Sequence, residues 1–234
     1  MIEDTPLLTI RVPLPRPTEA QIAAFQGVPT GFVADALGGG GAMAANIKPL
    51  GEGRDLPFIA AGPALTADNG PADILATQAA LAHIRPGDIL VSSAAGHQGC
   101  AAAGDRVIGM LKNAGGAGFV TDGPMRDYAG IVAVGLPAWC TGLIPSSPFA
   151  KGPGKVGFAV QVGGQQVETG DMIVADRDGV VVVPFARIDA VIAKLAVVRE
   201  LEEALDARVA QGLKVPGAIV ELLASPATRR IEKE

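Results

Sequence analysis

The middle of the chain constrains its fold most, because between Phe58 and Thr121 short apolar runs alternate with helical patterns. A strand is expected around Phe58 to Thr66, a helix over Ala72 to His83, a strand over Asp88 to Ser92, a helix from about Asp105 to Ala114 and a strand over Gly118 to Thr121. Strands and helices that take turns at this pace build an α/β layer structure. From Ala138 to Pro184 the chain changes character and reads as short strands between Gly and Pro turns: PAWCTG, KVGFAVQVGG, GDMIVAD and GVVVVP. RPGDILVSSAAG and ETGDMIVADRDG each combine a turn, a Gly-Asp pair and a buried strand, a match too short to establish a repeat.

Thr18 precedes Glu19, Ile22 and Phe25 as an N-cap would, opening a first helix, and a second short helix is expected over Val33 to Leu37. The glycine run from Leu37 to Met43 lacks the Lys-Ser/Thr ending of a P-loop and the spacing and preceding strand of a dinucleotide fingerprint, so it reads as a flexible connection. A long helix is expected from Phe185 to Gln211, closed by Gly212 in the C-cap position. Its apolar stripe runs through Ile188, Val191, Ile192, Leu195, Val198, Leu205 and Val209. Glu202 falls on that stripe, whereas Glu200 and Glu203 project to the side. A carboxylate on a buried stripe is costly unless it is paired, hydrogen-bonded or beside a metal. At 1.5 Å per residue the helix spans roughly 40 Å, long enough to extend past its own domain towards a neighbouring subunit.

At 234 residues the chain fits one large domain, or one domain with an appended arm. Apolar residues make up 49% and aromatic residues 4%, so the core must be built from Ala, Val, Ile and Leu. A net charge of -5 and the lack of a long basic run argue against nucleic acid as a partner. Cys100 and Cys140 form neither a CxxC motif nor a disulfide framework and read as buried thiols. The N-terminus has acids before its short apolar run and prolines after it, unlike a signal peptide, and no stretch approaches the ~20 apolar residues of a membrane span. A soluble, cytoplasmic protein is expected.

Asp105 follows AAAG and opens the helix that carries Val107, Ile108 and Leu111. As N-cap it would satisfy an orphan amide, a structural role that by itself accounts for it. The same helix start offers the free N–H groups of Arg106 and Val107 to an anion such as a substrate carboxylate, so both readings stand. After twenty intervening residues come Arg126 and Asp127, in the stretch TDGPMRD. In a parallel α/β arrangement that travel returns the chain to the same edge of the sheet, so three charges face one crevice. Asp127 then suits a hard divalent cation, Asp105 suits the waters of that cation, and Arg126 suits a developing enolate or oxyanion. The competing account is an exposed turn carrying a surface ion pair.

The run GDRVIGMLKNAGGAGFVTDGPMRD resembles the RraA-like proteins and 4-hydroxy-4-methyl-2-oxoglutarate (HMG) aldolases, whose signature is Asp, twenty residues, then Arg-Asp. VADALG, GPALT, RPGDILV, GLPAWCTG and GDMIVADRDGVVVVP resemble further family segments in the same order, so the likeness spans roughly residues 18 to 212. It implies one RraA-like domain over 1–234, with an extended arm at 1–17 and a helical arm at 185–234. The implied fold is an α/β sandwich related to the phosphohistidine swivelling domain, assembled as homotrimers or hexamers with intersubunit sites.

For the site, the resemblance implies that Asp127 binds Mg²⁺ or Mn²⁺ and that Asp105 holds its water. Arg126 contacts the pyruvyl oxygen, and Gly104, Arg106 and Val107 form the carboxylate cradle. A glutamate of the neighbouring subunit's C-terminal helix completes the metal's surroundings; Glu202 fits that place best, with Glu203 the alternative. The implied reaction is a metal-assisted retro-aldol cleavage of a 4-hydroxy-2-oxo dicarboxylic acid to pyruvate and a second keto acid, with oxaloacetate decarboxylation as a side activity. The family also includes non-catalytic regulators that bind a ribonuclease, some lacking the acid at the place of Asp105, and a lyase acting on a different 2-keto acid is a further alternative. The loop SSAAGHQGCAAAG departs from the family's more acidic form, and His97 within it reads as a turn residue or a substrate contact.

Overall fold

In the computed structural model, which describes residues 6–231, the chain opens with β1 (Leu8–Ile10), α1 (Glu19–Ala24), α2 (Thr30–Ala36) and β2 (Lys48–Pro49). The alternating centre follows as β3 (Ala60–Asp68), α3 (Leu75–Ala80), β4 (Ile89–Ser93), α4 (Asp105–Asn113), β5 (Gly118–Thr121), α5 (Tyr128–Val134) and β6 (Ala138–Cys140). The short-strand region supplies β7 (Gly154–Val156), β8 (Val160–Val162), β9 (Gln165–Val167), β10 (Met172–Ala175) and β11 (Val180–Val183), and the chain ends in α6 (Ile188–Ala210) and α7 (Gly217–Ala224). By internal contacts it divides into two units, Met1–Leu195 and Ala196–Glu234.

In the first unit β3, β4, β5 and β6 are parallel neighbours within a sheet of order β1-β7-β3-β4-β5-β6-β2. Successive side chains of a strand point to opposite faces. Leu90 and Phe119 therefore join Val107, Ile108, Leu111 and Ile131 of the crossover helices, while Ile89, Val91, Val120 and Trp139 join Val160, Val167, Ile173 and Val182 on the other face. Both faces are covered, which is why these strands read as unbroken apolar runs. β3 serves three ladders: Ala64–Asp68 pairs with β4 in parallel, Ala67 and Asp68 pair with β7 antiparallel, and Ala60–Pro63 pairs with β10 antiparallel. The result is a mixed α/β fold with the crossover helices α3, α4 and α5 on one face of the sheet and antiparallel strands on the other.

Several boundaries are decided by distant groups. Helix α3 begins at Leu75 rather than Ala72, because Ala72 has a left-handed φ of 60° and the Asp73 carboxylate accepts a hydrogen bond from Leu75 N at 2.8 Å. Helix α2 begins at Thr30, ahead of the expected Val33, because Asp176 accepts from both the backbone N and the hydroxyl of Thr30 at 2.8 Å. That cap comes from 146 residues away and has no local signature. Thr18 caps α1 as expected, in a reciprocal capping box with Gln21.

The echo between the two Gly-Asp segments has a structural counterpart. Asp88 accepts from Arg85 N at 2.9 Å and Asp171 accepts from Glu168 N at 2.8 Å, so each closes the same turn, three residues back, before its strand pairs with β3. Burial raises the pKa of both carboxyls against the lowering effect of these N–H donors. Asp88 also takes the Arg16 guanidinium, which pins the N-terminal arm beside the start of β4, and Asp171 accepts from Phe185 N at 2.7 Å. Both cysteines are buried and free, and burial pushes the Cys140 thiol up to about 11.

Helix α6 is shorter than the expected 185–211, since Phe185–Arg187 forms a separate tight turn. The apolar stripe is buried only through Ile188, Val191 and Leu195, in the first unit. In the second unit Leu205 and Val209 are exposed and Glu202 is half-buried, so the expected carboxylate on a buried stripe is corrected to one on a largely solvated helix. Gly212, with φ of 95°, ends that helix as expected: its N–H reaches Val209 O and that of Leu213 reaches Arg208 O, the paired bonds of a Schellman cap.

Candidate active site

The segments that follow β4, β5 and β6 continue the parallel sheet as a second tier beyond the strand ends. Ala103 bridges to Met125 and Met125 to Leu143, held by Ala102 N to Pro124 O at 2.7 Å, Met125 N to Gly142 O at 2.8 Å and Arg126 N to Ala103 O at 3.1 Å. This pairing places the start of α4 beside the start of α5. Asp105, Arg126 and Asp127 consequently line one cleft of about 270 Å³ at the carboxyl ends of the strands, where ligands of open α/β sheets bind.

Asp127 occupies the N-cap position of α5 with φ 60° and ψ 44°, a left-handed conformation that Asp tolerates better than most residues. Its carboxylate makes no cap hydrogen bond; instead Oδ2 lies 3.2 Å from Arg126 Nε. The Arg126 guanidinium also donates from Nη1 to Ser147 Oγ, so a carboxylate and a hydroxyl orient its planar fork at the cleft wall. The ion pair of TDGPMRD is thus no isolated surface pair. It sits against Gly104, where a β-carbon would stand 2.5 Å from Asp127 Oδ2 and 3.1 Å from Arg126 Cγ.

The capping account of Asp105 is corrected. Gly104 is the N-cap of α4 and Asp105 its first helical residue, with no side-chain cap bond at this terminus. Its side chain is directed at α5 instead, where a β-carbon on Gly130 would lie 2.6 Å from Asp105 Cβ. Arg106 and Val107 take the next two positions, and among the described residues their backbone N–H groups meet no acceptor. These are the orphan donors of a helix start, with the positive end of the helix dipole behind them.

Every residue lining the cleft belongs to the first unit, whereas Glu202 lies on α6 in the second. His97 is not among the lining residues; its backbone N donates to Ala94 O at 3.0 Å in a turn. That loop is held by Asp122, whose carboxylate accepts from Ala94 N at 2.7 Å and Gly96 N at 2.8 Å. Gln78, Met110 and Ser147 also line the cleft and carry no local sequence signal. The wall bearing Ser147 is anchored by Asp73, which accepts from Lys151 N at 2.7 Å and Gly152 N at 3.1 Å. Burial raises the Asp73 pKa, but the backbone donors outweigh it and hold the carboxyl below its ordinary value.

A family model described as RraA-like, Aldolase/RraA, matches residues 30–182, which include the whole Asp105, Arg126 and Asp127 constellation. The chain belongs to the RraA-like family. Over 205 residues this RraA-like chain is 34% identical to a Halalkalibacterium halodurans protein named "Putative 4-hydroxy-4-methyl-2-oxoglutarate aldolase", covering 88% of this chain and 96% of that one. Among solved structures it is similar to Streptomyces coelicolor RraAS2, described as an unusual member of the RNase ES inhibitor RraA protein family, at 29% identity and a TM-score of 0.70. That match covers 83% of this chain and 99% of RraAS2. An uncharacterized Pseudomonas syringae pv. tomato protein shares the RraA-like fold at a TM-score of 0.73 and 22% identity, over 87% of this chain and 94% of its own.

Proposed function

We propose that this RraA-like chain is a divalent-cation-assisted pyruvate aldolase that cleaves a 4-hydroxy-2-oxo dicarboxylic acid such as HMG and decarboxylates oxaloacetate as a side activity. The observation that carries the reading is the convergence of Asp105, Arg126 and Asp127 on one cleft beside unpaired helix N–H groups.

The donor set fits a hard cation: two carboxylates, with neither thiol nor imidazole among the cleft-lining residues. Among the described residues no group of three metal-ligating side chains is assembled, which suits Mg²⁺ or Mn²⁺ held by one or two carboxylates with water and substrate filling the rest. Asp127 would hold the ion, with Asp105 acting through water and Glu202 reaching from a neighbouring copy in a trimer or hexamer. When bound, the ion supplies a Lewis acid for the 2-keto oxygen.

The chain's own groups account for the rest. The N–H groups of Arg106 and Val107, beyond Gly104, receive the substrate's C1 carboxylate. A water held by Asp105 relays the proton of the 4-hydroxyl to the Asp105 carboxylate as the C3–C4 bond breaks, and the same path returns a proton to C3. Its electron pair becomes the C2–C3 double bond of a pyruvate enolate, and C4 becomes a carbonyl carbon. The Arg126 guanidinium faces the developing enolate oxygen, and protonation at C3 completes pyruvate. No lysine lines the cleft, so this route needs no Schiff base. Loss of CO₂ from oxaloacetate yields the same enolate, which is the reason for expecting that activity.

The test is to incubate purified protein with HMG or oxaloacetate and Mg²⁺ and to couple pyruvate to lactate dehydrogenase. Pyruvate above an EDTA control is expected, and its absence with both substrates would overturn the reading in favour of a non-catalytic, protein-binding regulator.

A further inference from the structure

The cleft contains two guanidinium groups, and only one of them is engaged. Arg126 is held by Asp127 at 3.2 Å and by Ser147. Arg106, at the second position of α4, lines the same cleft and is exposed. Among the described residues it has no salt bridge within 4.0 Å and its side chain makes no hydrogen bond. It keeps this freedom although two carboxylates, Asp105 and Asp127, line the cleft with it. Apart from these charges the lining offers Gln78 and Ser147 as polar side chains, and otherwise small or apolar groups such as Ile74, Val107 and Met110.

A substrate carboxylate bound to the backbone N–H groups at the α4 start leaves the Arg106 side chain unused by that contact. A second carboxylate on the same molecule needs a cation, and Arg126 is committed to the reacting end. We infer that Arg106 is a specificity-determining residue that selects substrates carrying a second, distal carboxylate over monocarboxylic 2-keto acids. This inference rests on the aldolase reading for its substrate and on the unpaired guanidinium for its site. Arginine suits the task because its rigid fork matches a carboxylate with two parallel hydrogen bonds, which a lysine cannot reproduce.

The test compares wild type, Arg106→Ala and Arg106→Lys with Mg²⁺ on HMG, a dicarboxylate, and on 4-hydroxy-2-oxopentanoate, a monocarboxylate. Arg106→Ala is expected to lose about 10- to 100-fold in kcat/KM on HMG, chiefly through KM, as befits one charge-assisted contact. The loss on 4-hydroxy-2-oxopentanoate should be at least about fivefold smaller, so that the preference for the dicarboxylate falls, and Arg106→Lys should recover part of that preference. Equal losses on both substrates, or none on either, would overturn the inference. Calorimetric titration with 2-oxoglutarate and 2-oxobutanoate reads the same selectivity without turnover. If wild type turns over neither substrate yet binds 2-oxoglutarate in preference, and Arg106→Ala abolishes that preference, the aldolase reading fails while the Arg106 assignment stands. Equal binding of the two acids by wild type, or binding of neither, overturns the assignment itself.

Discussion

Gly104 and Asp127 approach so closely that a β-carbon on residue 104 would stand 2.5 Å from Asp127 Oδ2. The backbone of Gly104, with φ -138° and ψ -173°, is open to any residue, so the demand for glycine is steric. Gly104→Ala must therefore push the Asp127 and Arg126 side chains out of place. A misplacement of this order costs about 10²-fold in kcat. Stability should fall by only about 1–3 kcal/mol, the usual range for overpacking, as read by urea denaturation beside the pyruvate assay.

Asp105 carries no cap bond, so its removal should separate function from folding. Asp105→Asn should lower kcat by about 10²- to 10⁴-fold, the range for a lost proton-transfer group. The change in stability should stay below about 1 kcal/mol, the usual worth of an acid in the first turn of a helix. A variant that unfolds in proportion to its lost activity would return Asp105 to a purely structural role.

Asp73 anchors the cleft wall through Leu75, Lys151 and Gly152 N–H groups. Because its folded-state pKa lies below the ordinary aspartate value, its contribution is complete above that ordinary value. The contribution is lost as pH falls through the lower, folded pKa. Asp73→Asn should thus be less stable than wild type by about 1–2 kcal/mol at pH 7, with the gap closing in strong acid. Urea midpoints measured across that pH range check both the size and the sign.

The proposed intersubunit site predicts that two inactive variants complement one another. Asp127→Ala and Glu202→Ala should each lack most activity alone, and co-expression should restore a measurable fraction through mixed sites holding one intact Asp127 and one intact Glu202. Co-purified heteromers with no recovered activity would remove Glu202 from the site, and the same experiment with Glu203→Ala would then test the adjacent carboxylate.

The elements that were legible in the sequence are those whose cause is local. The first strand-helix-strand alternations, the Thr18 capping box and the Gly212 cap each depend on residues within a few positions of one another. The Asp105 to Arg126-Asp127 spacing was legible too, because one helix-turn-strand unit has a nearly fixed length and returns to the same sheet edge. Where the cause lay elsewhere in the chain, boundaries moved: α2 starts under a cap supplied by Asp176, and α3 starts after the left-handed Ala72.

By itself, the sequence determined an α/β layered fold, a core of small aliphatic residues and three charges at one edge of it. Periodicity and spacing encode which residues share a face. Only the tertiary structure decided that Asp105 is no cap, that Ser147 and Asp127 hold Arg126 while Arg106 is left unpaired, and that Gly104 is needed for room rather than for its backbone. Those facts depend on the pairing of segments 103, 125 and 143, which brings together groups about twenty residues apart, and no local rule of backbone or side chain specifies such contacts.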